Sequence, residues 1–174
     1  PAGWQVVPNS TVNDKNTGFA ATAFQNPVTK EIVIAYRGTD NLDPRKAGND
    51  IAADSALANP SPAWNIQFKQ GLDYAKKIMD THPEAAGKIS VTGHSLGGGL
   101  AQISSQMYGL PGITFDPAAA KNVVQSQQFK ECCPFSGFFG DVDMQSDRSS
   151  IVFAASSVVH LAQIVEGVRT AASA

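Results

Sequence analysis

Residues 89–101 read Ile89-Ser90-Val91-Thr92-Gly93-His94-Ser95-Leu96-Gly97-Gly98-Gly99-Leu100-Ala101, and this stretch decides the fold. Ile89 to Thr92 is a short β-branched run of strand character. It leads without a break into Gly-His-Ser-Leu-Gly, and Leu100, Ile103 and Met107 then recur at the three- and four-residue spacing of a helix. Strand, G-x-S-x-G and helix in that order describe a nucleophile elbow. The turn is too tight for bulky neighbours, so Gly93 and Gly97 stand where a Cβ would collide, and Ser95 is left at the apex in a strained conformation with its hydroxyl exposed. The first N–H groups of the following helix have no partner within it, and that of Leu96 can stabilise a developing oxyanion. The competing reading of G-x-S-x-G is a structural glycine-rich turn. The strand before it and the amphipathic helix after it favour a nucleophile.

The chain has 174 residues, enough for one domain with a real core, and 1–174 is read as a single domain. Hydrophobic residues make up 43% and charged residues 16%, a globular and not a disordered composition. The net charge of −2 and the absence of a Lys/Arg run argue against a nucleic-acid binder. No apolar segment approaches the roughly 20 residues that span a bilayer. The chain opens on Pro1 with no signal-peptide pattern, which suggests a mature product or an excised domain. Cys132 and Cys133 are adjacent, a spacing that rarely closes a disulfide, and no second Cys pair or His cluster stands at metal-ligand spacing. Two part-buried thiols are expected there, and no metal.

Upstream of the elbow, Pro1 to Gly18 is polar and turn-rich and reads as a loosely held opening segment. Phe19 to Phe24 and Glu31 to Tyr36 read as strands joined by the turn Asn26-Pro27-Val28-Thr29, and the unbroken apolar run of the second suits a central position. Arg37-Gly38-Thr39-Asp40 follows. In a hydrolase sheet the second oxyanion donor comes from such a loop after an early strand, and Thr39 offers both a backbone N–H and a hydroxyl. The alternative is a plain loop with Arg37 and Asp40 paired at the surface. Residues 41–62 are rich in Asp, Asn, Ala and Pro, long enough for a lid or binding loop. From Trp64 to Met79 a helix is expected, with Phe68, Leu72, Ala75 and Met79 inward and Lys69, Asp73, Lys76 and Lys77 outward. Downstream, Ile113 to Phe115 and Ile151 to Ala155 read as strands, Ala118 to Gln128 and Val158 to Val168 as helices. The alternation implies an α/β fold with a mainly parallel sheet covered by helices.

Four stretches together carry a family resemblance: Ala35-Tyr36-Arg37-Gly38-Thr39-Asp40, Asn49-Asp50-Ile51-Ala52-Ala53-Asp54, the elbow from Val91 to Ala101, and Ile113-Thr114-Phe115-Asp116-Pro117-Ala118. With them the chain resembles class 3 lipases, the fungal-lipase-like branch of the α/β hydrolases. More narrowly it resembles bacterial phospholipase A1-type members, some of which are secreted antibacterial effectors. The likeness runs from Gly18 to Ala120. It implies Ser95 as nucleophile, Thr39 with Leu96 as oxyanion hole, and a lid after Thr39.

A serine hydroxyl becomes nucleophilic only when a base takes its proton and a carboxylate orients that base. Of the three histidines, His94 should point away from Ser95 and pack or hydrogen-bond behind the turn, while His82 precedes Pro83 at a helix end far from the site. His160 alone follows the nucleophile, as the order Ser…Asp…His requires. Asp141 leads as the acid, because Gly140-Asp141 resembles the Gly-Asp that ends the acid-bearing strand in some relatives. Asp143 is second, and Asp116 could substitute. The expectation is a serine hydrolase of lipid acyl esters needing no cofactor and meeting its substrate at a membrane or micelle surface. Two alternatives stand beside it: a catalytically silent binding module of the same fold, and an effector toxin neutralised by a cognate inhibitor (immunity) protein. The resemblance also implies a secreted protein, or one delivered to an extracytoplasmic compartment.

Overall fold

The computed structural model describes residues 3–38, 66–118, 120–132 and 151–152. Two short strands, β1 (Gln5–Val6) and β2 (Val12–Asn13), both pair antiparallel with β3 (Ala20–Gln25). β3 and β4 (Ile32–Tyr36) form the expected hairpin, whose turn is closed where Asn26 Oδ1 accepts the N–H of Val28 at 2.9 Å and of Thr29 at 3.2 Å. β4 is buried along its whole length, as its apolar run requires of a strand covered on both faces.

The centre of the sheet is parallel. β4 pairs with β5 (Ile89–His94), and β5 with β6 (Gly112–Phe115). At the far edge β7 (Ile151–Val152) returns antiparallel to β6, so the sheet is mixed, in the order β1-β3-β4-β5-β6-β7. The registers align the strand ends. Tyr36 stands opposite Gly93 and His94 opposite Phe115, so the chain leaves β4, β5 and β6 at one level and the segments after them converge.

Two helices cover one face. α1 (Ile66–Thr81) buries Phe68, Leu72, Ala75 and Ile78, and α2 (Leu96–Tyr108) buries every residue from Leu96 to Ser105. α1 keeps its charges outward in the exposed pairs Lys69–Asp73 and Lys76–Asp80. α2 packs beside α1 on the sheet and ends at Gly109 in a left-handed cap. Beyond β6, α3 (Lys121–Val124) and α4 (Gln127–Cys132) return Val123 and Phe129 to the same core. On the opposite face Val33 and Ile113 are buried, with Trp4 and Phe115 packed against them.

One expectation fails. The opening segment is not loosely held. Val7 and Ser10 are buried, and β1 and β2 extend the sheet. Tyr74 donates its hydroxyl to the Ser10 carbonyl at 2.8 Å, and Gln67 Nε2 and Gln70 Nε2 reach Thr17 O at 2.9 Å and Asp14 Oδ2 at 2.8 Å. The polar composition serves to receive donors from α1. The residues read as a lid (41–62), the helix from Val158 to Val168, Cys133 and the side chain of Cys132 lie outside the described part of the chain.

Tyr36 joins the layers. Its buried hydroxyl donates to the Gly71 carbonyl of α1 at 3.0 Å and shares a hydrogen bond of 2.8 Å with Ser104 Oγ of α2. Burial pushes its phenol well above the ordinary value, and burial likewise pushes Tyr74 up to about 12. A folded pKa above the unfolded one adds stability that is whole below the unfolded phenol value and is lost as pH rises past it. Tyr36→Phe should therefore cost about 1–2 kcal/mol at neutral pH. The gap to wild type should narrow above roughly pH 10, where unfolded phenols ionise. Denaturant titrations at neutral and alkaline pH measure both.

Candidate active site

Ser95 follows β5 directly and caps α2 with φ 53° and ψ −126°, a backbone conformation that L residues rarely adopt. Three main-chain hydrogen bonds hold it there. Its N–H donates to Phe115 O at 3.1 Å, and its carbonyl accepts from Gly99 N at 3.1 Å and from Ala118 N at 3.0 Å. Serine at a helix N-cap ordinarily turns its hydroxyl back onto the N–H groups of the first turn. Here it makes no such cap, and the side chain is half-buried.

The neighbouring glycines permit this turn. A Cβ on Gly93 would lie 2.2 Å from Gly97 O, and one on Gly97 would lie 2.3 Å from Tyr36 O. No side chain fits at either distance. The elbow is thus pressed against its own helix on one side and against the end of β4 on the other. The segment after β4 comes equally close: a Cβ on Gly38 would be 2.7 Å from His94 O and 3.5 Å from Ser95 Cβ. Leu96 is buried at the first position of α2, where its N–H is among the groups the helix cannot satisfy itself. The positive end of the helix macrodipole therefore lies beside Ser95.

This arrangement holds a hydroxyl at the rim of a helix N-terminus, where free N–H groups favour an anionic oxygen. Among the described residues no imidazole or carboxylate is hydrogen-bonded to Ser95 Oγ. Thr39, Asp141, Asp143 and His160 lie outside the described residues. Among the described residues, no group of His, Cys, Asp and Glu could hold a metal ion, and no helix is long and apolar enough to cross a membrane.

The other two histidines are placed. His82 lies before β5, at the end of the strand remote from Ser95, where Nδ1 meets Glu84 Oε1 at 2.9 Å and holds that carboxyl below its usual range. His94 departs from expectation: it is exposed and not packed behind the turn, because position 94 faces the sheet side opposite Gly93 at the open end of β5. Asp116 is exposed just past β6, with φ 38°. The clasp of Phe115 and Ala118 on Ser95 could not be read from side chains, since it is made wholly of main-chain groups.

A family model described as phospholipase-like, the Tle-like phospholipase domain, matches residues 5–129. Among curated proteins the chain is similar to the yeast proteins named Putative lipase ATG15. It is 43% identical over 140 residues to that of Eremothecium gossypii, a match covering 59% of this chain and 25% of that protein. It is 44% identical over 135 residues to that of Saccharomyces cerevisiae, covering 57% and 26%. The chain thus spans about a quarter of the length of these relatives. The relatives are yeast proteins, and the bacterial effector branch draws no support from them. Among solved structures it is similar to the Lip2 lipase of Yarrowia lipolytica (TM-score 0.44, 19% identity, 84% of this chain and 56% of that one). A fungal lipase–inhibitor complex gives a TM-score of 0.43 at 19% identity, over 59% and 40%. The parallel β4-β5-β6 centre with an elbow between β5 and α2 is the arrangement of an α/β hydrolase.

The strain at Ser95 is measurable. A residue held in such a region costs of order 1–3 kcal/mol, which glycine avoids and alanine does not. After subtracting glycine's extra unfolded entropy of roughly 1 kcal/mol, Ser95→Gly should be more stable than Ser95→Ala by about 1 kcal/mol. A shift in urea midpoint at unchanged slope would register it, and equal midpoints would mean that Ser95 is unstrained.

Proposed function

The chain belongs to the Tle-like phospholipase domain family, and from that premise we propose that it hydrolyses carboxylic esters of lipids through an acyl-enzyme on Ser95. The observation that carries the reading is the backbone of Ser95. Its φ and ψ turn the hydroxyl away from the cap it would otherwise make and present it beside a helix N-terminus.

His160 accepts the serine proton as Oγ attacks the acyl carbon, then returns it to the leaving alcohol. Asp141, or Asp143 in its place, fixes the imidazole tautomer and stabilises the imidazolium. The carbonyl oxygen gathers charge as the tetrahedral centre forms, and the N–H groups of Leu96 and Thr39 receive it. The closeness of Gly38 to Ser95 supports Thr39 in this part, since Thr39 is the next residue along the chain. Water attacks the acyl-enzyme by the same route in reverse order and frees the acid. No cofactor or metal takes part.

Phospholipid acyl esters are proposed ahead of triacylglycerol, in keeping with the family's phospholipase-like description, and cleavage of the A1 type is proposed with them. The substrate is met at a lipid surface by peripheral contact.

The test is hydrolysis of a short p-nitrophenyl ester and of a fluorogenic phospholipid by wild type and by Ser95→Ala, His160→Ala, Asp141→Asn and Asp143→Asn, with folding followed by circular dichroism. Ser95→Ala and His160→Ala should each lose about a thousandfold or more in kcat with both substrates, and one of the two Asp variants should fall with them. Activity surviving in Ser95→Ala would overturn the proposal. Activity surviving in His160→Ala alone would move the base elsewhere.

A further inference from the structure

An oxyanion hole built from two separate segments works only if the two are held in register to a few tenths of an ångström. Leu96 is fixed by α2 itself. The other segment begins where β4 ends, just past the pairing of Tyr36 with Gly93, and runs close along the elbow, where Gly97 leaves room for Tyr36 and Arg37 and Gly38 for His94. Arg37 is also held from the opposite side of the chain.

Arg37 donates its backbone N–H to Ala20 O at 3.0 Å, one step beyond the last β3–β4 pair, Ala21 with Tyr36. Its guanidinium Nη2 reaches past the start of β3 and donates to Gly18 O at 2.9 Å. The adjacent carbonyl, Thr17 O, accepts from Gln67 Nε2 at 2.9 Å, and Gln67 is buried to 2% exposure in the first turn of α1. The turn carrying both carbonyls is itself closed. Asp14 N donates to Phe19 O at 2.8 Å, Gly18 N to Asp14 O at 2.9 Å, and Asn16 N to Asp14 Oδ1 at 2.8 Å. Gln70 Nε2 adds a second tie from α1 to Asp14 Oδ2 at 2.8 Å, and the Asn16 N–H, followed by this bond, holds the Asp14 carboxyl below its usual range. α1 in turn is fixed to the elbow helix α2: Tyr108 donates to Leu72 O at 3.1 Å, and the Tyr36 hydroxyl bridges Gly71 O and Ser104.

These contacts make a closed circuit. It runs from α2 to α1, from α1 to the turn at Asp14–Phe19, from that turn to Arg37, and from Arg37 through Gly38 back to the elbow. We propose that the Asp14–Phe19 turn is a positioning element for the oxyanion loop, and that Arg37 and Gln67, gripping its neighbouring carbonyls Gly18 and Thr17, are positioning residues for the reaction on Ser95. The inference rests on the reading of Ser95 as nucleophile with a donor just after Gly38. It assigns a role in turnover to the opening segment, far in sequence from the nucleophile.

Gln67→Met keeps the side-chain length and removes the donor. Arg37→Lys keeps the charge and removes the guanidinium fork. In the full chain each should lower kcat about tenfold, short of the roughly hundredfold cost of removing an oxyanion donor outright. Affinity for an alkyl trifluoromethyl ketone, whose adduct with Ser95 places an oxyanion in the hole, should fall by the same factor. KM should stay within about twofold, because ground-state binding does not use the hole. Folded variants with wild-type kcat and ketone affinity would overturn the proposal, as would a rise in KM with kcat unchanged. If Gln67→Met does not fold, Arg37→Lys decides alone. Ser95→Ala in the same series separates the two failures. An active Ser95→Ala removes the nucleophile itself, whereas a dead Ser95→Ala beside unimpaired positioning variants removes only the role given to the turn.

Discussion

The structure depends on one backbone conformation, that of Ser95. A residue at φ 53° and ψ −126° will not stay there unaided, and everything within reach of it acts as a restraint. β5 delivers the chain from one side, and α2 takes it away on the other with ten successive buried residues, so neither neighbour can shift to release the strain. β6 supplies the remaining grip, accepting the Ser95 N–H at Phe115, and the chain just beyond it returns a donor at Ala118. The glycines at 93 and 97 exclude nothing and hold nothing. They are the space into which the turn fits.

Parallel pairing at the centre follows from the same requirement. In a parallel trio the C-terminal ends of the strands lie at one edge, so loops far apart in sequence meet there. The register sets Tyr36 opposite Gly93 and His94 opposite Phe115, and within two residues of those pairs lie Gly38, Ser95 and Pro117. Had β4 been displaced by one residue along β5, Gly38 would lose its place against His94 and the alternation of buried side chains would invert. The hydrophobic pattern that builds the core therefore also sets the distance between the elbow and the loop that begins at Gly38.

How much of the fold and the site is legible from the residues varies with the kind of interaction. The elbow announces itself because its chemistry is written in side chains: two glycines, a serine and an apolar helix. The β3–β4 hairpin and α1 are equally open to periodicity, and the inward Phe68, Leu72 and Ala75 are where spacing puts them. The opening segment is not, and for a physical reason. Its polar, turn-rich residues look solvated, yet their carbonyls receive donors from Gln67 and Tyr74, two α1 side chains that belong to no apolar stripe or charge pattern. His94 escapes the same kind of reading because the face of the sheet it joins depends on whether the turn begins at 93 or 95, which composition does not specify. The Phe115–Ala118 clasp is invisible to any side-chain argument.

The division of labour between core and site has a consequence for how stability is distributed in this fold. Tyr36 and Arg37 are consecutive, yet they bind different layers. Tyr36 ties β4 to both helices, and Arg37 ties it to the opening segment. The hydroxyl network at Tyr36 is buried among apolar residues, where an unpaired oxygen would be costly, so it resists opening as a unit with the core. The Arg37 bond is only part-buried and sits at the end of a strand ladder, where pairing is weaker and water competes. Hydrogen bonding is thus more deeply buried at Tyr36, behind the elbow, than at Arg37, where β4 ends. On the proposed mechanism one half of the hole is locked to the core through α2, and the other is held in register by the grip of Arg37 on Gly18 O and of Gln67 on Thr17 O.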